Sequence, residues 1–184
     1  ESIKVAVAIS DDLTEIKEKH LVTPFNAKAM ALFPEKINGK YHVILTANTD
    51  KPPAHIAIAN FKNINDLWNH KKWNKWYKDL EKNSINLKRN DSDLTEVGAP
   101  PVKTKDGWLV IYSHIQNYFS ERERVFGIEA VLLDLKNPKK IIGRTDFPII
   151  IPDQVYTKYG FVSDVSFPTG AIINGKNLDI YYGA

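Results

Sequence analysis

The chain has 184 residues, within the range of a single domain, and is 43% hydrophobic and 26% charged, enough to bury a sizeable core. A net charge of +3 is too small to argue for nucleic acid, and the absence of cysteine excludes disulfides and thiolate metal sites. No apolar run approaches the roughly 18 residues that span a bilayer, and no targeting signal is visible, which leaves the compartment open.

Residues 3–9 (IKVAVAI) alternate as a half-buried strand. Ser10-Asp11-Asp12 turns the chain, and residues 13–19 read as an outer strand or a short turn. After Asn38-Gly39, a turn signal, YHVILTA (41–47) and HIAIANF (55–61) read as strands. Residues 64–80 change character: Trp73, Trp76, Tyr77 and Leu80 fall on one face of a helix. That stripe fits a surface helix packed by its aromatic face; the sharper alternative is an indole of Trp68, Trp73 or Trp76 stacked on a sugar.

Residues 81–95 are polar and read as a loop. Residues 96–113 join a proline-glycine turn (Gly98-Ala99-Pro100-Pro101) and a polar turn (Lys105-Asp106-Gly107) to the strand Trp108-Leu109-Val110-Ile111-Tyr112. Then come a polar loop over 115–123, strands over 125–135 and 140–144, an extended piece over 147–151, and strands over 162–173 and 178–182.

The phrase turn-then-strand occurs three times, around Gly39, Gly107 and Gly175; 107 − 39 and 175 − 107 both give 68. A proline element precedes each, at Phe33-Pro34, Pro100-Pro101 and Phe167-Pro168. Self-similarity carried by strands predicts an all-β fold, a β-propeller of four-stranded blades. At this period the chain holds fewer than three full blades, so it is expected not to close on itself. The ends, Glu1-Ser2-Ile3 and Tyr181-Tyr182-Gly183-Ala184, read as a processed product or a piece of a longer protein, with residues 1–184 expected to form part of one propeller domain.

Three linked phrases carry a family resemblance: ALFPEKINGKY (31–41), GAPPVKT (98–104) with GWLVIY (107–112), and FPTGA (167–171) with IYYGA (180–184). They resemble glycoside hydrolase family 130, which contains β-mannoside phosphorylases and β-1,2-mannosidases. The resemblance implies a five-bladed propeller of about twice this length, of which this chain is the C-terminal three blades, the first incomplete. It also implies inverting displacement at the anomeric carbon of a β-mannoside. The general acid, an aspartate in a Glu-Asp-Pro-Arg type motif, is absent here and would lie upstream of Glu1.

The family's phosphate-holding residues map onto positions that have changed. By this resemblance its two arginines fall at Lys28 and Thr46, its lysine at Glu96, its histidine at Ser113 beside His114, and its tyrosine near Phe126. A glutamate facing a phosphate repels it, whereas a glutamate facing water can act as a base. Glu96 is therefore the first candidate for the base of an inverting β-mannosidase, and Glu129, alone in an apolar run, the second. Ordinary alternatives stand beside them: Glu96 as a solvated loop residue, Glu129 paired with Lys103 or Arg144. Lys28, Lys103, Ser113, His114, Asp164 and Phe167 are candidate substrate-binding residues. A phosphorylase holding phosphate by Lys28, Lys103 and His114 is the first alternative function, and a non-catalytic carbohydrate-binding propeller the second. The partner implied is a manno-oligosaccharide. The five histidines form no i, i+4 pair, no Gly-rich phosphate loop occurs, and no metal or cofactor is expected. Oligomeric state is not readable.

Overall fold

The computed structural model describes residues 2–184. In chain order the strands are β1 (Ala6–Ile9), β2 (Glu18–Leu21), β3 (Ala27–Leu32), β4 (Tyr41–Ala47) and β5 (His55–Phe61). A 3₁₀ turn (Ile64–Trp68) and two short helices, α1 (His70–Tyr77) and α2 (Leu80–Asn83), interrupt them. Then come β6 (Ser84–Ile85), β7 (Leu94–Val97), β8 (Val102–Lys103), β9 (Trp108–Gln116), β10 (Val125–Leu133), β11 (Ile141–Arg144), the helical turn α3 (Val155–Lys158), β12 (Phe167–Asn174) and β13 (Asn177–Gly183).

They form four antiparallel sheets: β1-β2, then β3-β4-β5-β6, then β7 and β8 side by side on β9 with β10 and β11 beyond, then β12-β13. The fold is mostly β, with no closed barrel, and no strand pairing joins the first sheet to the fourth among the described residues. The burial patterns follow from this stacking. β4 is buried at six successive positions because sheets cover both its faces: Val43 and Leu45 pack toward Val5, Val7 and Trp73, while Ile44 packs toward Val110 and Val131. β13 alternates exposed and half-buried because only one face is covered.

The three repeat turns are built differently. Asn38 (φ 51°) and Gly39 (φ 76°) make a two-residue hairpin closed by Ile37 and Lys40, a turn that requires two left-handed residues. Gly175 has φ 62°. Gly107 is not left-handed; a Cβ there would lie 2.6 Å from the Leu133 carbonyl oxygen, so its need is space.

The edge strands β3, β7 and β12 share a second device: each pairing is broken part-way. The register of β3 on β4 shifts between Lys28 and Ala31, with Ala29 at φ 50°. Pairing along β9 stops at Val97 and resumes at Val102, across Gly98 and the two prolines. The register of β12 on β13 shifts between Pro168 and Gly170. Such breaks re-aim the side chains beside them.

Several boundaries move from the sequence reading. The helical stretch is split, with Asn69 capping α1 by accepting from the Lys72 amide. The expected loop over 81–95 holds α2, β6 and the start of β7, and β9 runs on to Gln116. Residues 147–151 make only one bridge, Ile128 to Ile150, and the strand expected from 162 starts at Phe167. The tryptophans take the packing role. Trp73 is fully buried and donates to the Leu67 carbonyl, Trp76 donates to that of Ile58, and Trp68 stacks on His20 at 4.1 Å.

Candidate active site

Glu96, Ser113, His114 and Glu129 sit on the two faces of the third sheet. Cross-strand register puts Ser113 of β9 opposite Glu96 of β7 and Ile128 of β10. The next residue, Tyr112, is opposite Val97 and Glu129. Since side chains alternate along a strand, Glu96 and Ser113 share one face, and Tyr112, His114 and Glu129 the other.

On the first face, Glu96 lies on the edge strand β7, not in a loop, and is 3% exposed. Its Oε1 is 2.9 Å from Lys28 Nζ, which crosses from the edge strand of the second sheet. The register break after Lys28 is where the chain aims that side chain. Lys28 pairs in register with Thr46, whose hydroxyl accepts from the Val97 amide at 2.9 Å. The Ser113 hydroxyl is buried without a protein partner. Four positions far apart in sequence, Lys28, Thr46, Glu96 and Ser113, are thus brought together where the second and third sheets adjoin.

On the second face, Glu129 is 0% exposed and fully engaged. Arg89 donates twice, Nε to Oε1 at 2.9 Å and Nη2 to Oε2 at 3.0 Å. The Tyr112 hydroxyl donates to Oε2 at 2.6 Å and Arg144 Nη2 at 3.3 Å. His114 Nδ1 lies 3.1 Å from Oε1, in ion-pair range but off the axis of a formed hydrogen bond. Its Nε2 is 3.0 Å from Asp93. Burial pushes the Glu129 carboxyl up, but His114, Arg89 and Tyr112 outweigh it and hold it well below the usual carboxylate range. Burial, and then Glu129 itself, push the Tyr112 phenol well above its ordinary value.

This geometry corrects several sequence expectations. Glu129 is a poor base, because its proton affinity is low and its oxygens already accept four hydrogen bonds. Its partners are Arg89 and Arg144; Lys103 instead pairs with exposed Glu35 at 2.6 Å. Lys103 sits opposite Trp108, at the other end of β9 from Ser113, so it does not join Lys28. His114 is not placed to bind substrate: at 1% exposure, between Asp93 and Glu129, it has no face to offer one. Asp164 (φ 57°) accepts the Phe126 amide through its carbonyl, and with Arg122, Arg124 and Phe161 it lines a cavity of about 570 Å³. Phe167 is half-buried at the start of β12, opposite Gly183.

Arg89, Asp93 and Tyr112 escaped the sequence reading. One signal for Arg89 existed: a carboxylate in the apolar run VFGIEAVLL demands a cation, and Arg89 stands in the charged segment before β7. Among the described residues no group of three or more His, Asp or Glu is disposed to hold a metal, and no helix is long and apolar enough to cross a membrane.

Stacked antiparallel sheets with polar groups gathered at their inner edges are the setting in which comparison with known proteins becomes informative. A family model described as beta-1,4-mannooligosaccharide phosphorylase matches residues 2–184. The chain belongs to glycoside hydrolase family 130. It is 31% identical to a 1,2-beta-oligomannan phosphorylase of Thermoanaerobacter sp. (strain X514), over 98% of this chain and 54% of that protein. It is 33% identical to a beta-1,2-mannobiose phosphorylase of Listeria innocua, over 85% of this chain and 40% of that protein. A solved beta-1,2-mannobiose phosphorylase from Listeria innocua, in complex with beta-1,2-mannobiose, superposes with a TM-score of 0.79 at 28% identity, covering 99% of this chain and 48% of that one. The chain spans about half the length of the relatives it matches.

Proposed function

We propose that the complete protein is a β-mannoside phosphorylase acting on β-1,2-linked manno-oligosaccharides, and that residues 1–184 supply the last three blades, one incomplete, of a five-bladed propeller. The observation that carries the activity is the match, at 31% and 33% identity, to two phosphorylases of β-1,2-mannosides. The four-sheet stack and the broken edge strands support the propeller: β3, β7 and β12 are in this reading the blades' inner strands, with Lys28 on β3, Glu96 on β7 and Ser113 beside Glu96 on the neighbouring β9.

In this reading a phosphate oxygen attacks the anomeric carbon from the face opposite the leaving group. The glycosidic oxygen departs with a proton from an acid outside these residues. Inversion of a β-mannoside yields α-mannose 1-phosphate. Lys28 is the one cation of the expected phosphate set that reaches the inner edge. Glu96 holds it until the dianion competes for it, because a phosphate attracts an ammonium more strongly than one carboxylate does.

One observation favours a second reading, hydrolysis. The Lys28–Glu96 pair carries no net charge where phosphate needs cations, and a Glu96 released from Lys28 can activate water. A solved family 130 member described as a glycoside hydrolase targeting beta-1,2 mannosidic linkages in Candida mannan shares the fold, with a TM-score of 0.67 at 19% identity.

Incubating the complete protein with β-1,2-mannobiose, with and without inorganic phosphate, decides between them. Mannose 1-phosphate formed only when phosphate is present is the expected result. Free mannose formed regardless of phosphate moves the assignment to hydrolysis, and binding without turnover to a carbohydrate-binding scaffold.

A further inference from the structure

The end of the second and third sheets that lies away from Lys28 and Glu96 has a chemistry of its own. β4 leaves its turn at Tyr41 and reaches Thr46 five residues later, and β9 leaves its turn at Trp108 and reaches Ser113 five residues later. At a rise of about 3.3 Å per residue, about 17 Å of strand separates these turns from Thr46 and Ser113. The turns lie side by side. The Asn38 amide donates to the Lys136 carbonyl at 2.9 Å, and Lys103 pairs with Glu35 at 2.6 Å. Tyr41 is in register with Phe61, which brings Lys62 beside Lys40.

Lysine recurs in every one of them. Lys36 and Lys40 flank the Asn38-Gly39 hairpin, Lys62 follows β5, and Lys103 and Lys105 precede Gly107. Lys136, Lys139 and Lys140 lie in the turn between β10 and β11. Three acidic residues accompany these eight lysines: Glu35, Asp106 and Asp134. Eight minus three gives this end +5 in a chain whose total is +3, so the remainder is net negative. Two of the acids are engaged, Glu35 by Lys103 and Asp134 by the amides of Lys136 and Asn137. Asp66, close to Lys40 and Lys62, is taken by Lys72. Lys139 reaches the Lys82 carbonyl. The six lysines other than Lys103 and Lys139 have ammonium groups in no hydrogen bond or ion pair among the described residues. The third repeat turn, Asn174-Gly175-Lys176, carries a lysine in the same place as Asn38-Gly39-Lys40.

This pattern suits an extended anionic surface better than a single ligand. None of the four arginines lies in these turns, and a lysine is a point charge on a flexible stem, without the fork that grips one phosphate. The aromatic rings of the turns are spent inward. Phe33 and Trp108 are buried edge to face at 5.2 Å, and Tyr41 lies under the Lys36 ammonium, 4.4 Å from it. No ring is left on which a nucleic-acid base could stack. What remains is a row of mobile cations across two adjoining sheets, matched by charge to lipid headgroups.

We infer that this end docks on an anionic lipid surface through its turn lysines, so that the Lys28–Glu96 pair faces away from that surface. The inference does not depend on which reaction that pair serves. The test is cosedimentation of the complete protein with vesicles of phosphatidylcholine alone and of phosphatidylcholine with an equal part of phosphatidylglycerol, beside its affinity for a short DNA duplex in the same buffer. Binding to the anionic vesicles only, lost at about 0.5 M salt, is expected. Lys105→Gln, Lys136→Gln and Lys140→Gln together are expected to weaken it about a hundredfold, roughly fivefold per charge removed. The same three positions changed to Arg are expected to bind as the wild type does, and both sets to keep its unfolding midpoint. No binding, equal binding to both kinds of vesicle, a Gln set that binds like the wild type, or an Arg set that loses binding overturns the inference. Tighter binding to the duplex than to the anionic vesicles also overturns it and moves the partner to nucleic acid.

Discussion

Glu96 and Glu129 lie on opposite faces of one sheet, both buried, and their surroundings differ in kind. Glu129 is held by two arginines and a tyrosine, with a histidine beside it, inside the layer between the second and third sheets. Glu96 has a single ion-pair partner, Lys28, at an inner edge where two sheets meet. Burial alone therefore does not mark a working carboxylate. Four hydrogen bonds make Glu129 a fixed anion that ties Arg89 and Arg144 to the sheet, whereas one flexible ammonium leaves Glu96 able to exchange its partner.

The largest effect expected from this contrast is on stability. Glu129→Ala leaves two guanidinium groups facing a buried void, and breaking a buried ion pair costs about 3–5 kcal/mol. Denaturant unfolding of the complete protein measures it, and a loss below about 1 kcal/mol would remove Glu129's role as an anchor. The same carboxylate predicts a pH dependence. Its folded pKa is depressed below the ordinary 4.5, so its contribution is fully present above that value and is lost as pH falls. The stability gap between wild type and Glu129→Gln should stay level above about pH 5 and narrow below it. A gap that widens in acid contradicts the sign.

Tyr112→Phe removes one donor to that carboxylate and keeps the ring in its core, so a loss of about 1.5–3 kcal/mol is expected in the same unfolding experiment. A neutral result there would mean that Arg89 and Arg144 suffice. Glu96→Gln addresses the other face. Freed from its carboxylate, Lys28 should bind phosphate more tightly, lowering the KM for phosphate about tenfold, with stability changed little. A fall in turnover of about 10²–10⁴-fold, with no response to phosphate, would instead make Glu96 the base of a hydrolase. The smallest effect is expected at Lys103→Met. Its pair with Glu35 is exposed on both sides, so stability should move by less than about 0.5 kcal/mol and turnover not at all. A clear loss of turnover would return Lys103 to the site.

The strands were legible because their periodicity and turn residues are local. Asn38-Gly39 needs no tertiary information to read as a turn, and YHVILTA reads as a strand. What escaped was set by register. Glu129 joins Tyr112 and His114 on one face only because β9 and β10 pair as they do, and a slip of one residue would separate it from them. Arg89 lies 40 positions from Glu129, in a segment that reads as a solvated charge run. Conversely, Lys28, Thr46, Glu96 and Ser113 were singled out by resemblance, and the pairing of β3 with β4 and of β7 with β9 brings them close together. Lys103 and His114 looked like companions of that group because they are near it in sequence. One points along the sheet to its far end, and the other through it to the opposite face.

Gly98 meets Pro168 of the next sheet so closely that a Cβ on Gly98 would lie 2.3 Å from the proline Cγ and 2.9 Å from its carbonyl oxygen. One missing methyl group thus lets the third and fourth sheets close up at this edge. A side chain at Gly98 would push Pro168, and with it the whole β12-β13 hairpin, away from the third sheet.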